Sequence, residues 1–117
     1  MSPREHLEAS YTAWMSHDAD TMAALYTADA RMEDPTLAEP RSGREAIRRY
    51  YAEMFAELER PQHELLDHAA RGNRVWFEWT FASGGGREPR VSFHGVSIQT
   101  LRDGLIAHDA AFWNPHA

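Results

Sequence analysis

Three side chains in this 117-residue chain combine an ionisable group with a setting that could put it to work. Asp34 ends the run Ala30-Arg31-Met32-Glu33-Asp34, in which side chains of an extended segment alternate with period two. Ala30, Met32 and Asp34 therefore share one face, and an acid beside two apolar neighbours stands at the edge of an apolar space. His94, in Val91-Ser92-Phe93-His94-Gly95-Val96, is the second. Imidazole titrates near neutrality, so it can pair with an aspartate in acid–base work or donate to an oxyanion. Gly95 invites a bulge that would re-aim this histidine toward a pocket. Asp109 is the third, sharing strand parity with Ala111 and Trp113. Two carboxylates in one apolar cavity push at least one pKa upward, which suits a general acid. Each has a plainer reading: Asp34 as a turn initiator, His94 and Asp109 as solvent-facing strand residues.

Other chemistries find no support in the residues. Zero cysteines remove a thiolate nucleophile, a disulfide framework and cysteine metal sites. All 12 basic residues are arginine, so Schiff-base chemistry has no lysine to use. The seven histidines form no His-x-His pair and no i,i+4 pair flanking an acid, so neither a metal nor any other cofactor is expected. There is no Gly-x-Ser-x-Gly elbow. Gly84-Gly85-Gly86 lacks the strand–helix setting of a phosphate loop and reads as a hairpin tip. A formal charge of −6 argues against nucleic acid as partner. No apolar run is long enough for a membrane span, and Met1–Ser10 lacks a secretory pattern, so a cytoplasmic protein is expected.

The elements that must hold these groups follow from periodicity. Leu7, Tyr11, Trp14 and Met15 form one stripe of a helix from Pro3 to His17. Asp18 or Asp20 caps a short second helix that turns Met22, Leu25 and Tyr26 inward. A break at Thr27–Asp29 leads to the strand ending at Asp34, where Pro35 has no N–H to give a ladder. Leu37–Arg41 reads as a proline-ordered loop. Ser42 and Glu45 make a capping box for a third helix, Gly43–Glu59, with Ile47, Tyr50, Tyr51, Met54 and Leu58 at helical spacing; Pro61 ends it and pushes Arg60 out of helical geometry. Strands then follow at 62–70, 74–83, 90–101 and 105–113, with turns at Gly72-Asn73 and Asp103-Gly104. One single domain of the α+β class is the result. Val75, Phe77, Trp79 and Phe81 share one strand face and Trp76, Glu78 and Thr80 the other; Trp76 on the outer face predicts a homodimer.

The stretch Glu33-Asp34-Pro35, then Glu39-Pro40-Arg41-Ser42-Gly43, then Ala46-Ile47-Arg48-x-x-Tyr51 resembles the centre of the ketosteroid isomerases. These share the nuclear-transport-factor-2 fold (NTF2-like) with SnoaL-type polyketide cyclases and limonene-epoxide hydrolases. The resemblance implies a cone-shaped fold, with three N-terminal helices packed on a strongly curved antiparallel sheet. It implies that Asp34 shuttles a proton and that Tyr51 supports a pocket hydrogen-bond network. The family's oxyanion tyrosine falls on Ser10, one position from Tyr11, and its protonated aspartate falls on His94. The Arg-Asp pair of epoxide-opening relatives falls on Ala110 and Ala111, which counts against that reaction. The expected activity is proton transfer on an apolar, polyketide- or steroid-like cyclic carbonyl, as in an isomerase, cyclase or dehydratase; the alternatives are a non-catalytic ligand-binding or dimerisation module of the same fold, or an epoxide hydrolase. Asp34, His94, Asp109 and Tyr11 are the expected catalytic set. Trp14, Tyr26, Tyr51, Phe55, Phe77, Trp79, Phe81 and Trp113 are the expected substrate walls, flat aromatic faces that select apolar ligands and desolvate a carboxylate.

Overall fold

The computed structural model describes residues 2–59, 61–84 and 91–113, leaving aside the side chain of Val91. Arg60, Gly85, Gly86, Arg90 at the start of the expected strand 90–101, and the tail from Asn114 onward lie outside the described residues.

Helix α1 (Pro3–Ser16) starts at Ser2, whose hydroxyl accepts from the Glu5 N–H at 3.2 Å, and stops where His17 turns left-handed at φ 53°. Its buried stripe is His6, Leu7, Ser10 and Ala13, while Tyr11 and Met15 are exposed. Leu7 and Trp14 of the expected stripe do face inward, whereas Met15 does not. Helix α2 (Ala19–Ala23) is capped by the Asp18 carboxylate, which accepts from the Asp20 N–H at 3.0 Å.

Strand β1 (Tyr26–Glu33) begins earlier than expected, so Thr27–Asp29 lies inside it, where its register against the neighbouring strand shifts. Strand β2 (Arg41–Ser42) pairs antiparallel with β1 and draws Ser42 into a ladder opposite Arg31. The expected capping box therefore does not form. Gly43 (φ 93°) is the N-cap of α3 (Arg44–Glu57), and Glu45 accepts instead from Arg48 at 2.7 and 3.0 Å. Strands β3 (Gln62–Arg71), β4 (Arg74–Ser83), β5 (Val91–Arg102) and β6 (Leu105–Trp113) form an antiparallel meander. Asp103 and Gly104, both at positive φ, make the tight turn before β6.

The six strands order as β2-β1-β6-β5-β4-β3, and β1 runs parallel to β6. Three expectations are corrected here. The sheet is mixed; it is open rather than strongly curled; and α3 follows two strands rather than standing N-terminal to the sheet. The parallel contact is possible because a long segment separates β1 from β6, and this crossover contact places the end of β1 beside Asp109. The fold is α+β, with an apolar core of Ala13, Met22, Tyr26, Ala30, Met32, Ile47, Tyr51 and Ile106. Directly paired residues on β4, β5 and β6 face the same side: Trp79 with Gly95 and Trp113, Phe77 with Ser97 and Ala111, Val75 with Gln99 and Asp109. That is the helix side of the sheet.

Candidate active site

A cavity of about 420 Å³ lies between the helices and this inner face. Strand parity determines what borders it. On β1 the buried Ala30 and Met32 lead to Asp34, which lines the cavity just past the strand end. One oxygen of Asp34 accepts from the Thr36 N–H at 2.7 Å and the Thr36 hydroxyl at 2.5 Å. The other accepts from the Tyr50 hydroxyl, brought over by α3. The local turn and the helix therefore fix both oxygens of the carboxylate while it stays partly open to the cavity. Burial, first, and then the adjacent Asp34 charge hold the Tyr50 phenol far above its ordinary pKa. Tyr50 is thus a committed donor.

Asp109 is set deeper, with 7% of its surface exposed. The Tyr26 hydroxyl donates to its Oδ2 at 2.6 Å, and Tyr26 and Tyr51 share a 2.7 Å hydrogen bond. Because Tyr26 has one proton and gives it to the carboxylate, Tyr51 is the donor in the second bond. Burial pushes the Asp109 carboxyl up to about 6; Tyr26 and Gln99 oppose this by favouring the anion, as does His108, while Asp34 adds to it by like charge. Its Oδ1 has no hydrogen-bond partner among the described residues. A carboxyl in this state exchanges a proton near neutrality.

The remaining walls are aromatic. Trp14, Tyr26, Tyr51, Phe77, Trp79, Phe81 and Trp113 all border the cavity. Phe55 does not: it packs behind the wall, on the rings of Trp14 and Tyr51 at 5.7 and 5.9 Å. Tyr11 lines the mouth, stacked on His63 at 6.3 Å.

His94 is the other correction. It stands on the opposite face of β5, exposed, with its Nε2 at 2.5 Å from Glu78. Pairing between β4 and β5 runs unbroken through Gly95, so the expected bulge is absent and parity turns His94 outward. Gly95 has another reason to be glycine. A Cβ there would meet the Trp79 ring at 2.5 Å and the Phe112 carbonyl at 2.8 Å, so the missing side chain is the space the indole occupies.

Several site residues were not singled out from the sequence. Tyr50 and Thr36 hold Asp34, and Gln99 lies opposite Asp109. His63, on β3, sits against Trp14 at 4.9 Å and Trp79 at 5.8 Å; burial lowers its pKa to about 4, so it is neutral. The period-two pattern of β3 and β5 carried the signal for His63 and Gln99, since both share parity with cavity residues. Among the described residues no group of three His, Asp or Glu side chains could hold a metal ion, and no helix is long and apolar enough to cross a membrane.

Residues 7–109 match the family model of the SnoaL-like domain. The chain belongs to the SnoaL-like domain family. Solved structures place this SnoaL-like protein among NTF2-like and ketosteroid isomerase-like folds. A hypothetical protein with a ketosteroid isomerase-like fold from Catenulispora acidiphila, in complex with trimethylamine, is 20% identical, with 95% of this chain and 86% of that one covered at a TM-score of 0.84. An NTF2-like protein of unknown function from Burkholderia xenovorans is 23% identical over 96% and 82% of the two chains, with a TM-score of 0.76. An LEH-like epoxide hydrolase of M. tuberculosis is 20% identical over 96% and 82%, with a TM-score of 0.78. At these identities the likeness is one of fold.

Proposed function

We propose that this SnoaL-like protein is a cofactor-free acid–base enzyme acting on an apolar cyclic carbonyl compound, polyketide- or steroid-like, in natural-product metabolism. The observation that carries this reading is the pairing of two unlike carboxylates on one aromatic cavity. Asp34, held by three donors at the open end, is the base that takes a proton from the carbon next to the carbonyl. Asp109, buried and raised to about 6, donates to the developing oxyanion from its protonated form, while Tyr26, backed by Tyr51, holds its other oxygen. Charge forming in such a water-poor site is stabilised by donors already in place, which is the largest single term in many enzymes. Asp109 and the tyrosines thus take the part expected of His94, and Tyr11 is left as a mouth residue. Isomerisation, aldol cyclisation and dehydration share this first step.

Epoxide opening, the activity of the M. tuberculosis neighbour, is less well supported. It needs an arginine joined to acids on both sides, whereas Arg41 stands over the Tyr50 ring at 5.9 Å.

Two copies are proposed to pair through the outer face of the sheet. Val96 and Phe112, neighbours across β5 and β6, are 40% and 56% exposed there, and Arg74 covers Trp76 at 5.0 Å.

The chemistry is tested by a structure with 2-tetralone, a flat bicyclic ketone with acidic hydrogens beside its carbonyl. The expected pose puts the ketone oxygen at Asp109 and the adjacent carbon at Asp34. A ketone bound with its carbonyl remote from both acids would leave a non-catalytic binding module as the better reading.

A further inference from the structure

We propose that Gln99 is a direct hydrogen-bond donor to the substrate oxygen, and that the buried His6 is the residue that positions it. The proposal rests on the acid–base reading above and adds to it a residue pair drawn from opposite ends of the chain.

Gln99 borders the cavity on β5 and is 4% exposed; His6 lies on α1, 93 residues away, and is 1% exposed. A histidine and a glutamine this deeply buried each need a defined partner, because an unpaired polar group there costs about 1–3 kcal/mol. They meet at 2.6 Å, His6 Nε2 to Gln99 Oε1. A carbonyl oxygen only accepts, so His6 must carry its proton on Nε2 and donate. The opposite amide orientation would turn the Gln99 carbonyl toward Asp109, an acceptor facing a carboxylate. Gln99 pairs directly with Asp109 across β5 and β6, which favours the NH₂ end on that side.

The consequence is geometric. With its oxygen held by His6, Gln99 presents two N–H groups at the cavity wall beside Asp109. Asp109 Oδ1 takes no hydrogen bond from them, so these donors remain for a ligand oxygen. Without that bond the Gln99 amide is free to turn over and offer its carbonyl to an oxyanion, which repels it. His6 removes that orientation without touching the ligand. The group recognised is a ring hydroxyl, a carbonyl or the enolate derived from it.

The test uses the intact protein and two probes of the same shape, 2-naphthol and naphthalene, titrated by fluorescence. The readout is the ratio of their affinities, which cancels changes in the aromatic walls. Gln99→Met is expected to cut the preference for 2-naphthol by about three- to tenfold, the worth of one hydrogen bond. His6→Leu is expected to cut it in the same direction, and His6→Leu added to Gln99→Met to cut it no further. An unchanged ratio in Gln99→Met overturns the donor role; additive losses overturn the positioning role of His6. Nitrogen-15 NMR of the wild-type protein gives a check that no variant's folding can spoil. His6 should be protonated at Nε2, and the Gln99 side-chain NH₂ resonances should move on adding 2-naphthol but not naphthalene; the reverse finding at either residue overturns the proposal. The ratio is an equilibrium binding measurement that needs no turnover, so failure of the acid–base reading and loss of this donor are told apart.

Discussion

Asp109→Asn should make the protein more stable at neutral pH, and the size of the gain can be worked from the site. Burial raises the carboxyl from its ordinary 3.8 to about 6, so the folded protein holds this proton more tightly than the unfolded chain does. With more protons bound in the folded state, stability falls as pH rises through the interval between the two values. The contribution is fully present below pH 4 and lost above pH 6. At about 1.4 kcal/mol per unit, the cost of ionising Asp109 in place is about 3 kcal/mol. Asparagine keeps the shape and still accepts from Tyr26 but never ionises. Urea unfolding of both proteins at intervals from pH 4.5 to 8 isolates the effect, because every other titrating group cancels in the difference. The stability of Asp109→Asn relative to wild type should climb by most of that amount between pH 4.5 and 7 and then level off. A difference that stays flat across this range would refute the buried, raised carboxyl and with it the general-acid assignment.

Other consequences are open to direct measurement. His63 should titrate by NMR near pH 4, and since its neutral form is the one that folding favours, its contribution is lost as pH falls below about 6.5; an ordinary titration would place it in water. Gly95→Ala should cost about 1–3 kcal/mol in chemical unfolding, since the new methyl enters the Trp79 ring and a backbone carbonyl; a neutral result would mean the indole lies elsewhere. Phe112→Glu should yield a monomer by sedimentation if the outer face joins two copies, and an unchanged mass would remove that surface from the interface.

Much of this architecture was legible because local rules and tertiary structure agree. The β4 alternation of Val75, Phe77, Trp79 and Phe81 against Trp76, Glu78 and Thr80 is the alternation seen, and Asp103-Gly104 makes the expected turn. Where they diverge, a non-local contact decided. Ser42 is an effective cap in isolation, yet pairing with Arg31 pulls it into β2. On α1 the stripe Leu7, Tyr11 and Trp14 does face the cavity, and Met15 alone falls off it. The parallel β1–β6 contact has no local signature, and it is what brings Asp34 and Asp109 to one cavity. His94 was misplaced by reading a bulge into Gly95, whose role is to admit Trp79. A strict period of two from Phe93 would have turned His94 outward and Gln99 inward.

The central claim is that Asp34 moves a proton on a bound carbonyl compound. Deuterium uptake from solvent into the carbons beside the carbonyl of 2-tetralone, followed by NMR with wild-type and Asp34→Asn protein, measures that step without knowledge of the natural substrate. Asparagine preserves the bonds from Thr36 while removing the base. The account predicts exchange catalysed by the wild type and slowed by about 10²- to 10⁴-fold in the variant, with 2-tetralone affinity little changed. A folded Asp34→Asn protein that exchanges at the wild-type rate would contradict it.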